Sequence, residues 1–132
     1  RVAKNLDMEH VMVVHGEDGL DEISITGPTN ISEYKDFKIN EYAICPEDFG
    51  IASAPFEDIA AQSSEESLRM VQEAFAGEKS AVQDMIALNS GAALYIARKV
   101  DSISEGVELS FNLMNNGKAA DKLAAYVRVS NI

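Results

Sequence analysis

The feature that most constrains the fold is a short apolar run that ends in a glycine-punctuated acidic loop. Residues 11–14 read Val-Met-Val-Val, and four apolar residues in a row predict a strand buried on both faces, as in a parallel sheet. The loop that follows ends with the adjacent carboxylates of Asp21 and Glu22. Because ligands of open α/β sheets bind beyond the carboxyl ends of such strands, this pair is the main candidate for holding a cation.

Adjacent acids alone carry little information in this chain. With 22 acidic residues in 132, roughly three or four adjacent pairs are expected by chance, and five occur. The simplest interpretation of any one pair is a solvated loop. Asp21 and Glu22 differ because a predicted buried strand and glycines precede them. Carboxylates in that setting suit Mg²⁺, which takes one or two of them and completes its octahedron with water and substrate phosphates.

The remaining pattern predicts one α/β domain: a partial mixed or parallel β-sheet with a β-hairpin insertion and a C-terminal helical set. Residues 31–34 and 37–44 predict the hairpin, with a bulge because the alternation is imperfect. Ser63, Ser80 and Ser102 each stand three residues before a Glu or Gln, the pattern of a capping box. The predicted helices end before Gly77, near Lys99, before Gly117 and near Val127. The second is apolar on most of its surface, which predicts a central position, and Gly91 within it indicates a close approach of another element.

Composition argues against several classes of function. The net charge of −11 disfavours binding to nucleic acid and to anionic membrane surfaces. No run approaches the ~18 apolar residues that a membrane span needs. The single cysteine, Cys45, excludes a disulfide framework and favours the cytoplasm. The chain opens without Met in what reads as the last turns of a helix, so we expect a part of a longer protein.

Other chemically capable side chains have plainer explanations. His15 is either a proton donor or substrate contact, or a histidine held by its neighbours at a strand end. Glu17 and Asp18 are expected to be solvated loop acids, and His10 a surface residue. Cys45 has no base nearby in sequence and is interpreted as a small core residue. No catalytic residue is assigned from the sequence.

Five segments, in order, resemble the anthranilate phosphoribosyltransferases of tryptophan biosynthesis. They are Gly-Leu-Asp-Glu within residues 13–24, Thr-Gly-Pro-Thr at 26–29, Pro-Glu-Asp-Phe-Gly-Ile at 46–51, and residues 88–95 and 102–109. The resemblance covers nearly the whole chain. It departs from the family at Phe37, where a turn glycine is usual.

The resemblance implies a pentosyl transferase that moves the phosphoribosyl group of PRPP to anthranilate and releases pyrophosphate. It implies that Asp21 and Glu22 bind the Mg²⁺ that accompanies PRPP, and that the complete enzyme is a homodimer. It places residues 1–132 as the C-terminal portion of the α/β domain. The glycine-rich phosphate loop, the anthranilate-binding residues and the N-terminal helical domain would lie upstream of Arg1, so this segment alone is expected to be inactive.

Two alternatives share this fold. One is a catalytically inert relative that binds nucleic acid, which should carry basic patches. The other is a nucleoside phosphorylase relative, which should lack the Gly-Leu-Asp-Glu segment. The negative charge and residues 19–22 favour the transferase over both.

Overall fold

The computed structural model describes residues 2–130 and confirms the predicted α/β class, with a hairpin and a C-terminal helical set. The elements are α1 (Val2–Asn5), β1 (His10–Gly16), β2 (Thr29–Lys35), β3 (Lys38–Ile44), two short 3-10 turns (Pro46–Phe49 and Phe56–Asp58), α2 (Ser64–Phe75), α3 (Ala81–Ile96), α4 (Ile103–Asn115) and α5 (Lys118–Ser130). None of the helices within residues 2–130 has the length and apolar character needed to cross a membrane.

The three strands form one sheet in the order β1-β2-β3, and both pairs are antiparallel. The β2–β3 register runs without interruption from Thr29 opposite Ile44 to Lys35 opposite Lys38, so the predicted bulge is wrong. The hairpin turns at Asp36 and Phe37, whose φ angles of 49° and 63° are both left-handed. That conformation matches the right-handed twist of the strands, so the turn geometry is kept without the usual glycine.

Strand β1 is not buried on both faces, and this corrects the parallel-strand interpretation of residues 11–14. It pairs antiparallel with β2, no parallel pair occurs among the described strands, and Val13 is 64% exposed. An antiparallel sheet packed on one side needs only alternate residues to be apolar. The inner face, which includes Met12 and Val14, packs against the core, while Val13 and His15 point away from it.

The sheet topology brings two loops to one edge. Because β1 and β3 are both antiparallel to β2, their last residues, Gly16 and Ile44, lie beside Thr29 at the same edge. Residues 17–28 and 45–54 leave the sheet there, and the Ala54 N–H donates to the Ile25 carbonyl at 3.0 Å. We call this side of the sheet the loop edge.

His10 is buried, which corrects the expectation of a surface residue. It begins the inner face of β1, and its Nε2 lies 2.7 Å from Oε1 of Glu33, which is itself buried. The Tyr42 hydroxyl donates to the other Glu33 oxygen at 2.9 Å. Burial acts to raise the pKa of Glu33, but the hydrogen bonds from His10 and Tyr42 outweigh it and the pKa is lowered.

The three predicted helix starts are confirmed. The hydroxyls of Ser63, Ser80 and Ser102 each accept the backbone N–H three residues on, at 3.1 to 3.2 Å. Helix α3 ends at Ile96, before the predicted Lys99, because Arg98 is left-handed (φ 53°) and the Lys99 N–H turns back to the Leu94 carbonyl.

Helix α3 is the central helix, as predicted, and it meets α4 at two facing glycines. A Cβ on Gly91 would lie 2.6 Å from the backbone nitrogen of Val107, and one on Gly106 would overlap the Gly91 carbonyl oxygen. Neither overlap can be relieved by a side-chain rotation, because both involve backbone atoms. The glycines therefore fix how closely, and at what height, α3 rests on α4.

We predict that Gly91→Ala lowers the free energy of unfolding by about 1–3 kcal/mol, because the added methyl group forces the two backbones apart. The gain in helix propensity, about 0.5–1 kcal/mol, offsets only part of this loss. Urea unfolding checks the value. Gly27→Ala is the matched control, since a Cβ there meets nothing within 4 Å. Equal stability of the two variants would contradict the role assigned to the helix contact.

Candidate functional site

The loop that carries the acid pair begins with a tight turn at the end of β1. The Gly16 N–H donates to the Leu20 carbonyl at 2.9 Å, and the Gly19 N–H donates to the Gly16 carbonyl at 3.0 Å. Gly19 has φ 93°, a conformation that side chains other than glycine rarely adopt. Gly16 has no room for a Cβ, which would overlap Oδ1 of Asp18. Gly19 is therefore required by the path of the chain, and Gly16 leaves the space that the Asp18 carboxylate occupies.

Asp18 organises this loop and is not the merely solvated acid that the sequence suggested. Its Oδ2 accepts hydrogen bonds from the hydroxyls of Ser24 at 2.5 Å and Thr26 at 2.6 Å. Its Oδ1 accepts the Leu20 N–H at 3.0 Å. Partial desolvation acts to raise the pKa of Asp18, but these hydrogen bonds outweigh it and the pKa is lowered. The carboxylate thereby ties the beginning of the loop to its far side.

The loop is held again immediately after Glu22. The Ile23 N–H donates to Oδ1 of Asn89, and Nδ2 of Asn89 donates to the Ile23 carbonyl, both at 2.9 Å. The next residue is held too, since the Ser24 N–H donates to the Thr29 hydroxyl at 2.9 Å. Asp21 and Glu22 thus lie between two fixed peptides, one at Leu20 and one at Ile23.

Both carboxylates of the pair are exposed to solvent. Neither makes a hydrogen bond or an ion pair with any part of the chain that the structure describes. No cluster of three or more His, Cys, Asp or Glu able to hold a metal occurs within residues 2–130. Two free carboxylates fit a cation that brings its remaining ligands as water and phosphate, as Mg²⁺ does, and do not fit one enclosed by protein.

A cavity of about 420 Å³ opens beside the pair. Leu20, Glu22 and Asn89 line one side of it, and Phe56 and Met85 belong to its largely apolar remainder. Glu22 of the pair therefore lines a concave surface together with residues of α3. Such a surface can receive a ligand that places a bound cation at the carboxylates and its apolar bulk against the apolar wall.

The family model for the glycosyl transferase family, a/b domain, matches residues 1–120. The chain belongs to this family. Among curated proteins, the anthranilate phosphoribosyltransferase of Halorhodospira halophila is 44% identical over 126 residues. That alignment covers 96% of this chain but only 37% of the relative, so the chain spans well under half the length of the proteins it matches.

Solved structures place the glycosyl transferase domain in the same fold. Anthranilate phosphoribosyltransferase from Thermus thermophilus superposes with a TM-score of 0.84 and 33% identity, over 95% of this chain and 36% of that one. The Saccharomyces cerevisiae enzyme in complex with PRPP and Mg superposes with a TM-score of 0.80 over 92% of this chain and 35% of that one. At 21% identity, the yeast protein supports the fold alone.

The remaining sequence candidates of this glycosyl transferase domain lie apart from the pair. His15 is exposed on the outer face of β1. Cys45 is half-buried, and desolvation together with the carboxylates of Asp48 and Glu47 raises the pKa of its thiol, which suits a packing role and not a nucleophile. Sequence reasoning missed Asp18, although an aspartate two residues before a backbone donor and near two hydroxyl residues is the pattern of an Asx turn.

We predict that Asp18→Asn destabilises the protein at neutral pH and makes no difference in strong acid. The folded-state pKa of Asp18 is lowered, so its stabilisation is complete above the unfolded value near 3.8 and is lost as pH falls through the folded value. Urea unfolding between pH 7 and pH 2 measures the difference. Glu17→Gln removes a neighbouring exposed carboxylate and should stay close to wild type. A constant difference across this pH range would count against the interpretation.

Proposed function

We propose that this chain is the C-terminal part of the α/β domain of an anthranilate phosphoribosyltransferase, in which Asp21 and Glu22 bind the Mg²⁺ that accompanies PRPP. The reaction breaks the bond between ribose C1′ and the pyrophosphate oxygen and forms a bond from C1′ to the anthranilate nitrogen, which gives up a proton. The supporting observation is the pair of free carboxylates, held in a fixed loop beside a cavity, in a chain 44% identical to such an enzyme over 126 residues.

The chain's own residues would act by position and charge. Asp21 and Glu22 are oriented by the fixed peptides at Leu20 and Ile23, so little rearrangement is needed when the substrate complex arrives. Bound Mg²⁺ supplies Lewis-acid stabilisation of the negative charge that develops on the pyrophosphate. The choice of Mg²⁺ follows from the two free carboxylates and from the phosphates that PRPP brings with it.

We also propose that exposed apolar side chains of this chain contact other parts of the complete protein. Val13 on the exposed face of β1, and Tyr126 and Val129 on α5, are apolar and more than 60% exposed. Surfaces of this kind fit contacts with further parts of a longer chain, including a helical domain that carries a homodimer interface. We expect such an enzyme to work in the cytoplasm.

The acid pair is tested by replacing both residues, Asp21→Asn with Glu22→Gln, in the protein that carries this chain. Loss of the metal ligands should lower kcat/KM for PRPP by about 100-fold or more, since metal stabilisation is worth several kcal/mol. The fold should be unaffected because both side chains are exposed and unbonded. The matched control is Glu57→Gln with Asp58→Asn, which removes the same charge from another exposed pair. Equal loss in both double variants, or none in either, would overturn the assignment.

The expectation that this segment alone is inactive is tested by assaying two lengths of chain. Residues 1–132 alone should show no transfer from PRPP to anthranilate, whereas a protein extended upstream to the full length of its relatives should show it. Turnover by the 132-residue chain would refute the placement of the phosphate loop elsewhere.

A further inference from the structure

The loop that carries the acid pair is held from α3 by one side chain, Asn89, which bonds the backbone of Ile23, the residue after the pair. Asn89 is 66 residues away from Ile23 in sequence, yet its carboxamide accepts a hydrogen bond from the Ile23 N–H and donates one to the Ile23 carbonyl. The hydrogen bonds that Asp18 and Thr29 make in this loop join residues within 16–29, so they do not anchor the loop to the helices. Asn89 is thus the polar side chain that ties the loop to the helical half of the domain.

The geometry points to a role for Asn89 beyond packing. We propose that Asn89 is a positioning residue for Asp21 and Glu22: by holding both the N–H and the carbonyl of Ile23, it fixes the direction in which the pair presents its carboxylates. This proposal rests on the proposed function, because it assumes that the pair binds a metal. It adds a residue on another element to the machinery of that site.

The position of Asn89 is itself fixed by two contacts, one made by its own side chain and one made by helix α3 with α4. Its Nδ2 also donates to the Met85 carbonyl at 3.0 Å, one turn earlier in α3, which holds the carboxamide in one rotamer. Two residues further along the same helix, Gly91 sits in backbone contact with Gly106 and Val107 of α4. The height of α3 therefore sets where the carboxamide meets the loop.

The two hydrogen bonds from Asn89 act on Ile23, the residue next to the acid pair, and not on the metal ligands themselves. Ile23 is buried, with 3% of its surface exposed, whereas the preceding Glu22 is exposed and lines the same cavity as Asn89. Fixing the peptide after Glu22 limits the rotation of the Glu22 backbone and so the region its carboxylate can reach. Groups that orient metal ligands in this way change metal affinity by about 10- to 100-fold when removed.

The test uses Asn89→Ala in the protein that carries this chain, with two readouts. The first is hydrogen exchange at the Ile23 amide, which should become at least about 10-fold faster because its acceptor is gone. The second is the affinity for Mn²⁺ in the presence of PRPP, followed by the electron paramagnetic resonance signal of free Mn²⁺, which should weaken by about 10- to 100-fold. Asn112→Ala is the matched control, since Asn112 is an exposed asparagine on α4, and it should change neither readout.

The outcomes separate this inference from the proposed function. If Asn89→Ala exchanges faster at Ile23 but binds Mn²⁺ like the wild type, Asn89 serves the fold alone and the inference is wrong. If the Asp21→Asn and Glu22→Gln double variant binds Mn²⁺ like the wild type, the metal site itself is wrong and the inference falls with it. Should Asn89→Ala fail to fold, Asn89→Ser, which keeps a hydroxyl able to bond the Met85 carbonyl, carries the same expectations.

Discussion

The close contact between α3 and α4 is the constraint on which the rest of the domain depends. Gly91 and Gly106 bring two helix backbones together with no side chain between them, so α3 has one permitted height on α4. The same helix contributes Ala87 and Leu88, which are fully buried, to the hydrophobic core. It also carries Asn89 to the loop at the end of β1. A backbone contact in the helical half thus sets where Asn89 meets the loop at the end of β1.

The loop itself is held rigidly on both sides of two carboxylates that make no bond to the described part of the chain. Glycines at 16 and 19 allow the turn, Asp18 closes it through three hydrogen bonds, and Asn89 fixes its far side. Asp21 and Glu22 stand between these supports with no partner among the described residues. Two adjacent like charges without compensation favour an incoming cation, and a rigid frame reduces the ordering needed to bind it.

Local signals in the sequence predicted local structure well. The serines at 63, 80 and 102 mark helix starts because a cap is a contact between residues three apart, and the hairpin is readable for the same reason. The orientation of β1 was misread, because an apolar run does not reveal whether its partner strand is parallel. His10 was misplaced on the surface and no role was predicted for Asn89, because their partners, Glu33 and Ile23, lie 23 and 66 residues away in sequence. The acid pair was singled out by its position in the sequence and stays a prediction, whereas its freedom from partners among the described residues became visible only in three dimensions.

The claim that Asp21 and Glu22 hold a metal shared with PRPP is tested most directly by locating the metal. A crystal of the protein that carries this chain, grown with PRPP and Mn²⁺, gives an anomalous signal at the manganese position. We expect a manganese peak within about 2.2 Å of carboxylate oxygens of both Asp21 and Glu22, or bridged to them by one water, and in contact with the PRPP phosphates. A manganese bound to phosphate alone, with this acid pair facing solvent, would contradict it.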